Sequence, residues 1–330
     1  RRRHTRLQGD WSSDVCSSDL NVAVDSTNQA ITLEARDINF GAGATVDAGT
    51  NNISLNSTNN GDIYLGAAGG SLSLTSANLA AITANDISIG GSGSGSIYVD
   101  GVANSSWDNI AGNVSLEASL NDSSITFQNN ASSFTNLSAA ADNGITANVD
   151  VTTTVGALSL DADMDNAADG APGEDKLTLA DGATLTAQTD LSLDATTGGT
   201  YSAGGFSLSA GNDVNVNDAV VSNGALNITA NNDGTSGGAA NISASITTNE
   251  NALTLTASDL ALSANIDVGN DSSTGSTLTI LTSNFENFGL ASTVAQDFNI
   301  SKDEFNQFIA KELIIGDNQS GNIEIGRAHV

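Results

Sequence analysis

The chain has 330 residues, with 38 acidic against 9 basic side chains and a net charge of −29. That balance argues against nucleic-acid binding, which needs clustered Lys and Arg to displace counterions from phosphates. No apolar run approaches the ~20 residues that cross a bilayer, so membrane insertion is not expected either.

The two ends stand apart from the rest. Arg1-Arg2-Arg3-His4-Thr5-Arg6, with Gly9-Asp10-Trp11 running on to Ser18-Asp19-Leu20, resembles a translated sequencing-library adapter. Residues 325–330, Ile-Gly-Arg-Ala-His-Val, resemble its complement. Both segments, 1–20 as a disordered artefact and 325–330, are therefore set aside from fold reasoning. The competing reading is a basic arm followed by a disordered Ser/Asp linker. Setting them aside removes Cys16, His4 and His329, the only Cys and His, and leaves 4 basic against 35 acidic residues. What remains is expected to be an internal piece of a longer protein, with no particular redox compartment required.

From residue 21 a short phrase recurs: apolar, small polar, apolar. It appears as Ile31-Thr32-Leu33, Ile53-Ser54-Leu55, Leu72-Ser73-Leu74, Ile87-Ser88-Ile89 and Val114-Ser115-Leu116. Further on it returns as Leu158-Ser159-Leu160, Leu191-Ser192-Leu193, Phe206-Ser207-Leu208, Leu226-Asn227-Ile228 and Leu253-Thr254-Leu255, often followed by a polar residue and Ala. Alternation of period two this short cannot hold a helix, and as a strand it buries one face. Many such strands on a loose common period predict an all-β fold, a parallel β-helix or β-solenoid. Outward Ser, Thr and Asn are expected to form stacked ladders, and the trailing Ala to sit where the chain bends inward. Asn59-Asn60-Gly61 and Gly211-Asn212-Asp213 are read as positive-φ turns.

A coil of about 20 residues holding two or three strands predicts around fifteen coils and a rod of roughly 70 Å. One coil cannot fold alone, because its few inward side chains do not offset the entropy of ordering it. Two rival readings are disorder, suggested by the low aromatic content and high charge, and a string of immunoglobulin-like sandwiches. In-register Ile, Leu and Val weigh against the first. Strands of three to five residues weigh against the second.

In chain order, Gly90-Gly91-Ser92-Gly93-Ser94-Gly95 lacks the Asp of a calcium β-roll and the Lys and helix of a phosphate loop, so it is read as a turn. Trp107 is read as packing over a coil edge in preference to stacking on a sugar. Tyr64, Tyr98 and Tyr201 are expected to flank a strand face. The acidic run Asp161-Ala162-Asp163-Met164-Asp165-Asn166, followed by Asp169-Gly170 and Glu174-Asp175, is the metal candidate: Asp161, Asp163, Asp165 and Asp169 are placed as hard donors for one Ca²⁺. It departs from an EF-hand, with Asn166 at the glycine position and Pro172 where the bidentate Glu belongs. A solvated acidic loop extruded between strands is the competing reading. No other cofactor is expected. Near the end, Ser301 with Glu304 forms a capping box, with Phe305, Phe308 and Ile309 at one-face helical spacing.

Three stretches carry a family likeness. They are the Leu226-Asn227-Ile228-Thr229-Ala230 phrase and its relatives; Ile97-Tyr98-Val99-Asp100-Gly101 through Trp107 to Val114-Ser115-Leu116; and Ile300-Ser301-Lys302-Asp303-Glu304-Phe305 through Leu313-Ile314-Ile315-Gly316-Asp317 to Ser320-Gly321-Asn322-Ile323. Together they resemble the filamentous-haemagglutinin-type bacterial adhesins exported by two-partner secretion. The last stretch departs from that pattern at Phe305 and Phe308. The resemblance implies a right-handed parallel β-helix over 21–283, a further β-helix repeat with a short helical turn over 284–324, and a secreted or cell-surface location. It also implies partners: a host or neighbouring-cell surface, a glycan or a matrix protein, and an outer-membrane transporter for export.

The expected function is therefore a non-catalytic internal repeat segment acting in cell adhesion. With the ends set aside, no His or Cys remains for a nucleophilic triad. A purely structural stalk is the first alternative. A polysaccharide-degrading β-helix enzyme using paired carboxylates is the second.

Overall fold

The computed structural model describes residues 18–20, 23–67, 69–168, 174–235, 237–271, 273–291, 296–318 and 320–326. Three long sheets run along the chain. The first has ten described strands, from Ile31–Ala35 through Ile53–Ser57 to Asp259–Leu262. The second has eleven, from Leu72–Thr75 to Phe308–Ala310, and the third eight, from Ser132–Phe134 to Glu312–Ile315. The chain visits them in turn: Val114–Ala118, Ile125–Phe127 and Ser132–Phe134 lie in successive sheets before Leu137–Ala141 returns beside Val114–Ala118. Pairing is parallel throughout the three, as in Leu191–Asp194 against Leu158–Asp161 and Phe206–Ala210 against Thr184–Ala187. This is a parallel β-helix, and parallel ladders are incompatible with immunoglobulin-like sandwiches, whose sheets are antiparallel.

Each recurring phrase occupies a rung, and its alternation decides what is buried. The third sheet stacks Leu185, Leu208, Ile228, Leu255 and Ile280 in one inward column, all buried. Thr186, Ser209, Thr229 and Thr256 form the adjacent outward column. The trailing alanines Ala118, Ala162, Ala195, Ala210, Ala230 and Ala257 are fully buried, as expected for tight inward bends.

Coils are longer and fewer than the sequence predicts. Leu116 faces Ala139, a coil of 23 residues; Leu160 faces Leu193, a coil of 33. Three strands per coil, the upper of the two expected numbers, and loops extruded between them account for the difference. Eleven strands at ~4.8 Å spacing give a ladder of roughly 48 Å, not 70 Å.

The third side changes character along the axis. Before Ser132 a small parallel sheet of Val24–Asp25, Val46–Asp47 and Ile82–Thr83 is joined by two helical turns: Ser76–Ala80, capped by a reciprocal box between Thr75 and Asn78, and the 3₁₀ turn Asn104–Trp107. Neither helix was expected from the sequence. Trp107 is fully buried, its ring stacked on Phe134 at 5.3 Å, and its Nε1 donates to the Ser133 carbonyl at 3.1 Å. It closes the end of the third sheet's interior, which matches the coil-edge reading.

Turns follow the expected chemistry in part. Asn59 and Asn60 have φ of 57° and 56°. Gly211 serves a different purpose from the one assigned to it: a Cβ there would sit 2.0 Å from the Gln188 carbonyl oxygen, so close approach of adjacent coils requires the glycine. The turn expected over Gly90–Gly95 is confined to Gly91, Ser92 and Gly93: Gly90 ends the strand Ile87–Gly90, and Ser94 and Gly95 open the strand Ser94–Val99.

At the chain's end the capping box is present: Ser301 Oγ accepts from Glu304 N at 3.2 Å, and Glu304 Oε2 accepts from Ser301 N at 2.8 Å. The helix stops at Phe305, however. Phe308 and Ile309 lie in the strand Phe308–Ala310, paired with Ile266–Gly269. One capped turn is too short to propagate, and the strand gains a full ladder partner. Ser18–Leu20 pair with Ile38–Phe40, and Ile323–Ile325 with Phe288–Leu290, so both ladders reach into the adapter-like segments; residues 1–17 and 327–330 lie outside the described residues.

Candidate functional site

The most chemically loaded region is an acidic corner at the C-terminal end of the first sheet's strands. Two identical pentapeptides create it: Leu158-Ser159-Leu160-Asp161-Ala162 lies in register under Leu191-Ser192-Leu193-Asp194-Ala195. Identical phrases on adjacent rungs place like charges one strand spacing apart, which is destabilising in itself. The next coil adds Asp218, whose Oδ2 accepts from Ala195 N at 2.8 Å.

Of the four predicted ligands, the structure gathers two. Asp161 ends its strand and accepts from Asp163 N at 3.2 Å. Asp163 turns inward to 0% exposure, its Oδ2 accepting from Thr197 N at 2.7 Å. Asp165 is exposed and caps its own turn, accepting from Ala167 N at 2.9 Å. Asp169 lies outside the described residues. Asp194 and Asp218 lie outside the expected acidic run, whereas Asp175 belongs to its Glu174-Asp175 end. The repeated pentapeptide is the sequence signal that marks Asp194; Asp218 carries none.

Burial, above all, pushes the Asp161 carboxyl above the usual carboxylate range, and the negative charges of Asp194, Asp163 and Asp218 push the same way. Asp218 is raised by burial first, then by the charge of Asp194 and a hydrogen bond to it. Among the described residues no three His, Cys, Asp or Glu side chains converge as a ready-made metal cage.

A second polar corner lies further along the axis. Asn231 Nδ2 donates to Ser258 Oγ at 2.8 Å and to Ser283 Oγ at 2.9 Å, and Ser258 also hydrogen-bonds Glu286. Burial raises the Glu286 carboxyl, partly offset by that bond. A carboxyl whose pKa is higher folded than unfolded favours the fold below the unfolded value, and that stability is lost as pH rises through the folded value. Glu286→Gln is therefore expected to raise the unfolding temperature at pH 7 and to leave it unchanged near pH 4, where the unfolded carboxyl takes up its proton. Thermal scans at both pH values check this; an equal shift at each counts against it.

The rest of the outward surface is largely polar, with Val155, Phe285, Phe305, Ile314, Ile323 and Ile325 also exposed. Tyr64 and Tyr98 stack at 4.7 Å on neighbouring rungs, and Lys176 Nζ lies 5.9 Å from the Tyr201 ring centroid. Asn241 Nδ2 donates to Asn215 Oδ1 at 2.8 Å across one rung, a short piece of the expected ladder. An open groove of about 550 Å³ crosses three coils, lined by Asp181, Gly204, Gly205, Ser207, Asn223 and Asn227 among others. No described helix is long and apolar enough to cross a membrane.

No protein-family model, curated protein or solved structure matches the chain.

Proposed function

We propose that the chain is a non-catalytic segment of a secreted or cell-surface bacterial adhesin, exported through an outer-membrane partner and acting in cell adhesion. The observation that supports this reading is the neutral outward face of the third sheet, where hydroxyl columns such as Thr152, Thr186, Ser209, Thr229 and Thr256 repeat at strand spacing. A rigid, uncharged hydrogen-bonding lattice on an otherwise acidic rod suits contact with glycans or matrix proteins, while the net negative charge disfavours polyanions. The likeness of the Trp107-bearing coil and of the Ser301–Ile323 stretch to filamentous-haemagglutinin-type adhesins points the same way.

The test is binding of the purified chain to immobilised matrix proteins, a glycan array and intact cells. Saturable binding to any of these, weakened by charged substitutions at Thr186 and Thr229, is the expected result. Absence of binding to all three favours a structural stalk. Release of reducing ends from acidic polysaccharides would replace both readings with an enzyme.

A further inference from the structure

The extruded loop after Asp161 leaves the first sheet and rejoins the ladder at Leu177–Leu179, and both of its ends bring a buried carboxylate to the same residue of the next coil. Asp163 accepts from the Thr197 backbone N at 2.7 Å through Oδ2. Asp175, 6% exposed, accepts from the Thr197 hydroxyl at 3.4 Å, also through Oδ2. Gly198 fits tightly beside them: a Cβ there would lie 2.2 Å from the Asp175 carbonyl oxygen.

The remaining oxygen of Asp163 is the anomaly. Oδ1 is buried and has no hydrogen-bond partner. A carboxylate oxygen removed from water without a donor carries a large desolvation penalty. Asp161 and Asp218 both feel the negative charges of Asp163 and Asp194, so the corner around it is acidic. A water molecule would satisfy the geometry without answering this negative field; a cation answers both.

We propose that Asp163 and Asp175 are the carboxylate ligands of a divalent cation, Ca²⁺, that ties the extruded loop to the Thr197 turn of the following coil. Two carboxylates need completing by backbone carbonyls and water, which Ca²⁺ accepts in its six to eight oxygen positions; this accords with the lack of a ready three-carboxylate cage among the described residues. The described residues contain neither His nor Cys, the ligands that would favour zinc or copper. Asp161, Asp194 and Asp218 supply attraction from the rim. The ligand set differs from the Asp161, Asp163, Asp165, Asp169 spacing, because Asp165 points to solvent. The site is independent of the adhesive reading and stands or falls separately from it.

The full chain, stripped of metal with a chelator, is titrated with CaCl₂ alone by calorimetry and thermal scanning. The expected result is saturable binding with a rise in unfolding temperature. Asp163→Asn weakens the affinity at least tenfold while retaining the β-sheet circular dichroism of the parent. Asp165→Asn, in the same loop, leaves both readouts unchanged. Absence of a Ca²⁺-dependent heat and shift in the parent overturns the proposal. So does loss of binding in Asp165→Asn with retention in Asp163→Asn. Stabilisation by acid alone, with no response to Ca²⁺, assigns the corner to a shared proton instead and also overturns it.

Discussion

Leu255→Asp is expected to unfold the third sheet, whereas Thr254→Asp, one residue away, leaves it folded. Leu255 is fully buried between Ile228 and Ile280, and its neighbour Thr254 faces outward on the same strand. An aspartate at 255 removes the packing of a buried Leu, about 2–5 kcal/mol. It also places a carboxyl in an interior with no partner for it, which costs several kcal/mol more. The outward substitution is expected to cost roughly 0.5 kcal/mol. In a ladder whose stability is a sum of nearest-neighbour terms, the damage spreads to the coils above and below. Circular dichroism melts of the two variants check this. Equal effects at the two positions would contradict the one-sided burial on which the fold rests.

Trp107→Ala is the second large effect. The indole is fully buried, stacks on Phe134, and donates to the Ser133 carbonyl; truncation leaves a cavity costing about 3–5 kcal/mol. The site caps the end of the third sheet, next to coils that carry short helical turns and a separate small sheet. The loss is therefore expected as a separate early transition of the N-terminal coils, with the later coils melting near the parent temperature. Trp107→Phe keeps the ring stack and is expected to recover most of the loss. An unchanged melt for Trp107→Ala would mean that the ring lies on the surface, free for a sugar.

Much of this architecture was legible because it is local. The triplets at Ile53, Val114, Leu191 and Leu253 state which side chains turn inward, since a period of two admits one assignment once a face must be buried. Asn59 and Asn60 announce their turn by residue type, and Ser301 with Glu304 announces a helix start. The helix at Ser76–Ala80 was not legible, because five residues are too few to show a period. Nor was the end of the turn at Phe305, where a strand partner at Ile266 outweighs a spacing that also fits a helix. Of the acidic run, Asp161, Asp163 and Asp175 lie at the corner and Asp165 is exposed, while Asp194 arrives from the next coil.

Taken alone, the sequence determined the alternation, the burial of the trailing alanines and the acidic, nearly cation-free surface, all properties of single residues and their immediate neighbours. Only the tertiary structure decided how many residues close a coil, which of three sheets each strand joins, and therefore that Asp194 stacks on Asp161 and that Thr197 receives both Asp163 and Asp175. The physical reason is that register depends on the length and shape of every intervening loop. A coil of 23 or of 33 residues presents the same inward face, yet stacks different outward and corner residues on one another.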